Sequence, residues 1–206
     1  MHKEVLTKSQ IELLPLLKNF AKEFYLVGGT AIALHIGHRR SIDFDLFTEG
    51  DIHRLRIKKV IERSGFHIEQ VLYEAFDQVH FIINSVKLTF FNFPYKIDSS
   101  DNFEDVIAMP SLLDLAAMKA FSLGGRAKWK DYVDLYFLFK DYFSFKEVAN
   151  RASHIFGNEF NEKLFREQLT YYEDIDYSES VDFVANPVAV PEIKAFLTEI
   201  ALRPFE

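Results

Sequence analysis

The sequence predicts an α+β fold: a mixed β-sheet with flanking helices, followed by a C-terminal helical lobe. Residues 66–93 hold three closely spaced runs rich in Ile, Val, Phe and Tyr, with turn-like breaks at Asp77 and Asn84-Ser85. Before them, short strand-like runs alternate with amphipathic helical stretches. After Pro94 the pattern is helical to the end. Two lobes of one compact unit are expected, 1–100 and 101–206.

Each element has its own signal. Ser9 with Glu12 forms a capping-box pattern for a helix over 10–23, with Ile11, Leu14, Leu17 and Phe20 as its apolar stripe and Pro15 an awkward guest inside it. Tyr25-Leu26-Val27 reads as a short strand stopped by Gly28-Gly29. Thr30 then opens a helix through Leu34 that Gly37 ends. Ile42 to Phe47 reads as the next strand. Asp51 is placed to cap a helix carrying Ile52, Leu55 and Val60, which Gly65 terminates. The three runs at 66–73, 79–84 and 86–93 lie too close together for crossovers, so an antiparallel meander is expected. Ser111 and Asp114 open a helix ending at Gly124-Gly125. Another spans about Lys128 to Asp141, and two or three more follow, with breaks at Gly157 and at Pro187–Pro191.

Composition excludes several function classes. With 49% hydrophobic residues and 22 phenylalanines, the chain can bury a sizeable core and is not disordered. Cysteine is absent, which removes disulfides, thiolate nucleophiles and Cys-ligated zinc. None of the seven histidines forms the i, i+4 pair with an intervening glutamate that a zinc hydrolase uses. No apolar run approaches the roughly 18 residues of a membrane span. Glu4 and Glu12 interrupt the N-terminal segment where an export signal would be apolar, so a cytoplasmic protein is expected. The net charge of −7 lies entirely in residues 141–206, which hold 6 basic and 13 acidic residues; residues 1–140 balance at 18 each. That argues against a uniformly basic nucleic-acid binder and leaves room for a local basic cleft.

Chemistry concentrates in Tyr25 to Phe47. Asp43 and Asp45 stand two apart on an expected strand, so both carboxylates leave one face and offer oxygen ligands to a divalent cation. Just upstream, Gly28 and Gly29 let the backbone approach a phosphate, and the N–H groups of the helix start at Thr30 can donate to it. Thr30 and Ser41 add hydroxyls, and Arg39 or Arg40 adds positive charge. Each signal alone has a bland reading, a turn or a solvated strand end. The ordered set strand–Gly-Gly-Thr–helix–Gly-His-Arg–Ser-x-Asp-x-Asp is far more specific.

On these residues the chain resembles the nucleotidyltransferase superfamily, and within it the AbiEii/AbiGii toxin-type nucleotidyltransferases. The narrower resemblance rests on Gly28-Gly29-Thr30, Gly37-His38-Arg39, Ser41, Asp43 and Asp45. Leu115-Ala116-Ala117-Met118-Lys119 and Lys130-Asp131-Tyr132-Val133-Asp134-Leu135 reinforce it downstream. It implies a nucleotidyltransferase-like sheet and transfer of a nucleoside monophosphate from an NTP to a hydroxyl acceptor. The acceptor would be RNA such as tRNA, or protein. The protein would be the toxin of a toxin–antitoxin or phage-defence pair, with a cognate antitoxin and no membrane partner. It also implies Mg²⁺, or Mn²⁺ in its place, held by Asp43 and Asp45. Gly28, Gly29, Thr30, His38, Arg39 and Ser41 would surround the nucleotide. Lys119 and Lys130 would reach it, and Asp131 and Asp134 would complete the catalytic set. Read without the resemblance, Lys119 is a cation on an apolar stripe that either snorkels or meets a phosphate. Asp131, Asp134 and Lys130 read as a surface ion-pair cluster worth a few tenths of a kcal/mol, and His38 as a turn-stabilising residue. Basic residues of 119–130 (Lys119, Arg126, Lys128, Lys130) are the expected groove for an RNA acceptor.

One departure from the superfamily pattern weakens the enzyme reading. On the expected strand Val86–Phe91, where catalytic members usually carry a third carboxylate, the face shared by Lys87, Thr89 and Phe91 holds no acid. Two alternatives therefore stand beside the leading one: a small-molecule, antibiotic-type nucleotidyltransferase, and a degenerate member that binds a nucleotide or partner without turnover.

Overall fold

The computed structural model describes residues 1–184 and 186–204. The chain forms two compact units, Met1–Ser111 and Leu112–Glu206.

In the first unit, helix α1 spans Lys8–Phe20, two residues earlier than expected. Thr7 and Gln10, not Ser9 and Glu12, make the capping box: the Gln10 N–H donates to the Thr7 hydroxyl at 3.2 Å and the Thr7 N–H to Gln10 Oε1 at 3.0 Å. That register buries Leu13, Leu14, Leu16, Leu17 and Phe20 and leaves Ile11 exposed. Pro15 sits inside the helix on its exposed side, away from the buried leucines.

Strand β1 (Tyr25–Val27) runs straight into α2 (Gly28–Ile36), which starts at the first glycine rather than at Thr30. Gly37 ends α2 in the left-handed region, as expected. Strand β2 spans Phe44–Thr48, so Asp45 lies in the ladder and Asp43 one residue before it, instead of both standing on the strand. Helix α3 (Arg54–Arg63) has no side-chain cap: His53, not Asp51, is its N-cap residue. Its buried face is Ile57 and Ile61, and Leu55 is 76% exposed, because the i, i+4 isoleucines outcompete the expected stripe.

Strands β3 (Gln70–Glu74), β4 (Gln78–Ile83) and β5 (Val86–Asn92) form the expected meander. Asn84 and Ser85, both at positive φ, make the two-residue hairpin turn between β4 and β5. The sheet order is β1-β2-β5-β4-β3, with β2 and β5 parallel and every other pair antiparallel. Phe44, Leu46, Leu88, Phe90, Val79, Phe81 and Ile83 line its buried face. There Phe90 meets Phe20 and Phe24 with ring centroids 4.8 and 5.3 Å apart. Asp45, Lys87, Thr89 and His80 alternate onto the other face, with Thr89 between Asp45 and His80 in the cross-strand register. Strand β3 is an edge whose five residues are all exposed, and its pairing slips between Val71 and Tyr73. A small hairpin, β6 (Asp101–Phe103) and β7 (Ile107–Met109), stands where helix was expected after Pro94.

The second unit is helical: α4 (Leu112–Leu123), α5 (Trp129–Asp141), α6 (Phe145–Phe156), α7 (Glu162–Gln168) and α8 (Val190–Leu202). Helix α6 is opened by a Ser144/Glu147 capping box. No helix among the described residues is long and apolar enough to cross a membrane.

Candidate active site

The Gly-Gly turn is shaped by what lies against it. Gly28 sits at φ +74°, and a Cβ there would run into the Asp45 carboxylate, so only glycine fits between the strand end and that side chain. A Cβ on Gly29 would lie 2.5 Å from Arg39 Nη2 and 3.2 Å from Ser41 Oγ. The two glycines therefore bring the start of α2 into direct contact with the aspartate strand and its lead-in. Because α2 begins at Gly28, the N–H groups of its first turn have no acceptor four residues back within the helix. Gly28→Ala is expected to destabilise the first unit by about 1–3 kcal/mol, the usual cost of a forced left-handed residue. It should also push Asp45 aside. Urea unfolding and metal affinity would read the two effects separately.

The segment 41–43 is pinned from two helices. Gln10 Nε2 donates to the Ser41 carbonyl at 2.8 Å, and the Thr30 hydroxyl donates to the Asp43 carbonyl. Thr30 is buried, and its one hydroxyl proton is spent on that backbone. What remains for a phosphate is its N–H, a correction to the hydroxyl-donor expectation. Arg39 is also buried, its Nη1 donating to the Arg40 carbonyl at 2.9 Å, so it supports the turn from beneath. His38 is buried in the same turn. Ser41 is half-buried, with its hydroxyl over Gly29. Gln10 was missed in the sequence, although Thr-x-x-Gln is a readable capping signal. Lys87 was seen only as a non-acid, yet its Nζ lies 3.5 Å from Asp43 Oδ2.

The donor set suits Mg²⁺. That ion is usually held by one or two carboxylates plus water and substrate phosphates; here Asp45 stands against the Gly28 backbone, and Asp43, two residues earlier, lies beside Lys87. Among the described residues no cluster of three or more His, Cys, Asp or Glu is placed to cage a metal.

The second group of expected residues comes together inside the helical unit. Lys119 Nζ lies 2.7 Å from Asp131 Oδ1 and 3.0 Å from Asp134 Oδ2, and Arg126 Nε lies 3.2 Å from Asp131 Oδ2. Side-chain exposures of 5%, 3% and 0% for Lys119, Asp131 and Asp134 correct both the snorkelling and the surface-cluster readings. Lys130 stands apart from this triad and shares Glu179 with Lys128, at 3.0 and 2.6 Å. Acidic partners thus occupy the residues expected to form a basic groove at 119–130. Exposed cations also stand on α3, at Arg54, Arg56, Lys59 and Arg63; Arg56 pairs with Glu23, and the half-buried Lys58 pairs with Glu74.

Lys128 first, and then Lys130, hold Glu179 down at about 2, below its ordinary 4.5. The stabilisation is complete above that ordinary value and is lost as pH falls toward 2. Since Glu179 is 42% exposed, the pair is worth under about 1 kcal/mol. Glu179→Gln should cost no more than that at pH 7, and the difference from wild type should shrink below pH 4.5 in urea titrations.

A strand–Gly-Gly–helix cradle against an aspartate-bearing strand, on a mixed sheet followed by helices, is the architecture of nucleotidyltransferases. Residues 16–204 match the family described as "Nucleotidyl transferase AbiEii toxin, Type IV TA system", and the chain belongs to that family. An uncharacterized protein of Aquifex aeolicus is 31% identical over 157 residues, 74% of this chain and 75% of that protein. Among solved structures, the MenT4 nucleotidyltransferase toxin of Mycobacterium tuberculosis is similar with a TM-score of 0.65 at 15% identity, over 94% of this chain and 82% of that one. JHP933 from Helicobacter pylori gives 0.56 at 20% identity, over 95% and 91%. At these identities the two structures share the fold.

Proposed function

We propose that the protein is the toxin half of a toxin–antitoxin pair. It moves a nucleoside monophosphate from an NTP to a hydroxyl on RNA, such as tRNA, or on protein. The observation that carries this reading is the Gly28 contact with the Asp45 carboxylate, which joins a helix start able to hold phosphate to oxygen ligands able to hold Mg²⁺.

Asp43 and Asp45 would hold the metal, which would supply positive charge to draw electron density from the triphosphate oxygens. The N–H groups of Gly28, Gly29 and Thr30 and the Ser41 hydroxyl bind the triphosphate. His38 and Arg39 keep the turn in shape. Attack by the acceptor oxygen on the α-phosphorus forms one P–O bond and breaks the one to the β-phosphate; pyrophosphate leaves, and the hydroxyl proton passes to the substrate's own phosphates. Lys119, Lys130, Asp131 and Asp134 keep the nucleotide and catalytic roles that the family pattern implies, with the Lys119 triad as the rigid group.

The test is a transfer assay with Mg²⁺, each α-labelled NTP in turn and a total tRNA pool. Label on tRNA, or on the protein itself, supports the reading and identifies the nucleotide. The lysine on β5 favours a second reading, a binder without turnover. Metal-dependent NTP binding with no label on any acceptor, small molecules included, would select it.

A further inference from the structure

We infer that the Lys87 ammonium is a built-in second cation of the site, so that the centre takes one divalent ion where a three-carboxylate centre takes two. This rests on the nucleotidyl-transfer reading above.

The placement follows from the sheet. Strand β5 is the parallel neighbour of β2, with Thr89 beside Asp45, so Lys87, two residues earlier on the same face, comes up beside Asp43. Its Nζ stands 3.5 Å from Asp43 Oδ2, and each side chain is one-third exposed. The amine therefore faces the water from which a nucleotide arrives. His80, across from Thr89 on the same face, adds no competing positive charge near neutral pH. Burial chiefly, and Lys87 next, lower its pKa against the opposing pull of Asp45.

Charge bookkeeping supports the substitution. Three carboxylates with two divalent ions leave one net positive charge to face a triphosphate. On the β2–β5 face, two carboxylates, the Lys87 ammonium and one divalent ion leave the same, with the Arg39 guanidinium buried in the turn beside them. The face of β5 beside Asp43 and Asp45 holds no acid and supplies a cation directly. A fixed ammonium beside Asp43 also repels a second ion, because two like charges a few ångströms apart interact strongly even near a surface.

Mn²⁺ binding to the full chain, counted by room-temperature EPR, tests the idea without relying on turnover. Wild type should saturate at one ion. Lys87→Met should hold that ion about tenfold more tightly, since a neighbouring positive charge is gone. Lys87→Asp should take up a second ion. Thermal unfolding of each variant checks that the sheet is intact.

Two equivalent ions on wild type, or a Lys87→Met affinity within twofold of wild type, overturns the inference. It leaves the metal centre standing if the Asp43→Asn/Asp45→Asn variant loses Mn²⁺. Should that double variant bind Mn²⁺ like wild type, the metal centre falls and the inference with it.

Discussion

Replacing Asp43 or Asp45 by asparagine is expected to slow nucleotidyl transfer by at least about a thousandfold, the several kcal/mol that a bound metal contributes to such a transition state. The fold should survive. The Asp43 carbonyl, which Thr30 holds, is unchanged in asparagine, and the Lys87 pair it loses is one-third exposed and worth under about 1 kcal/mol. Asp45→Asn keeps the side-chain volume that Gly28 packs against. Initial rates of label transfer and unfolding midpoints, measured side by side, check both halves. A variant that keeps its activity would remove that residue from the metal site. One that unfolds would show its carboxylate to be structural.

The largest stability effect is expected at Lys119. Lys119→Met removes the ammonium that stands 2.7 and 3.0 Å from two buried carboxylates and should cost about 3–5 kcal/mol of unfolding free energy. Neutralising the partners as well, in Lys119→Met/Asp131→Asn/Asp134→Asn, should recover most of that loss, because the penalty comes from uncompensated charge. Urea unfolding reads both. If the triad also serves the nucleotide, the triple variant will be stable and inactive. A single Lys119→Met costing less than about 1 kcal/mol would mean that the charges are not held as a buried unit.

The sequence was informative wherever the signal is local. Tyr25–Val27, the Gly37 end of α2, the Asn84-Ser85 turn and the stop at Gly124-Gly125 each depend on a few neighbouring residues, and each stands where it was read. The meander was legible because closely spaced strands have few ways to connect. The first helix was misread by two residues because two overlapping capping boxes compete, and core burial of Leu13 and Leu16 chose between them. The β6–β7 hairpin escaped because three-residue strands carry almost no periodicity. The cradle could be read as an ordered motif. Its contents could not: that Thr30 serves Asp43, that Gln10 serves Ser41 and that Lys87 faces Asp43 all depend on long-range register.

The same register determines how the sheet meets other chains. Its two edges are β1, three residues long, and β3, whose Val71, Leu72 and Tyr73 are about half exposed and which is followed by Phe76 at 88% exposure. A long, flat, apolar edge would template strand addition and draw molecules into aggregates. The slip between Val71 and Tyr73 breaks the even spacing of β3 and twists it away from flatness, and the brevity of β1 gives an incoming strand little to hold. Deleting Leu72, which would even out the register, is expected to make this edge a better template for strand addition, read as increased light scattering on standing.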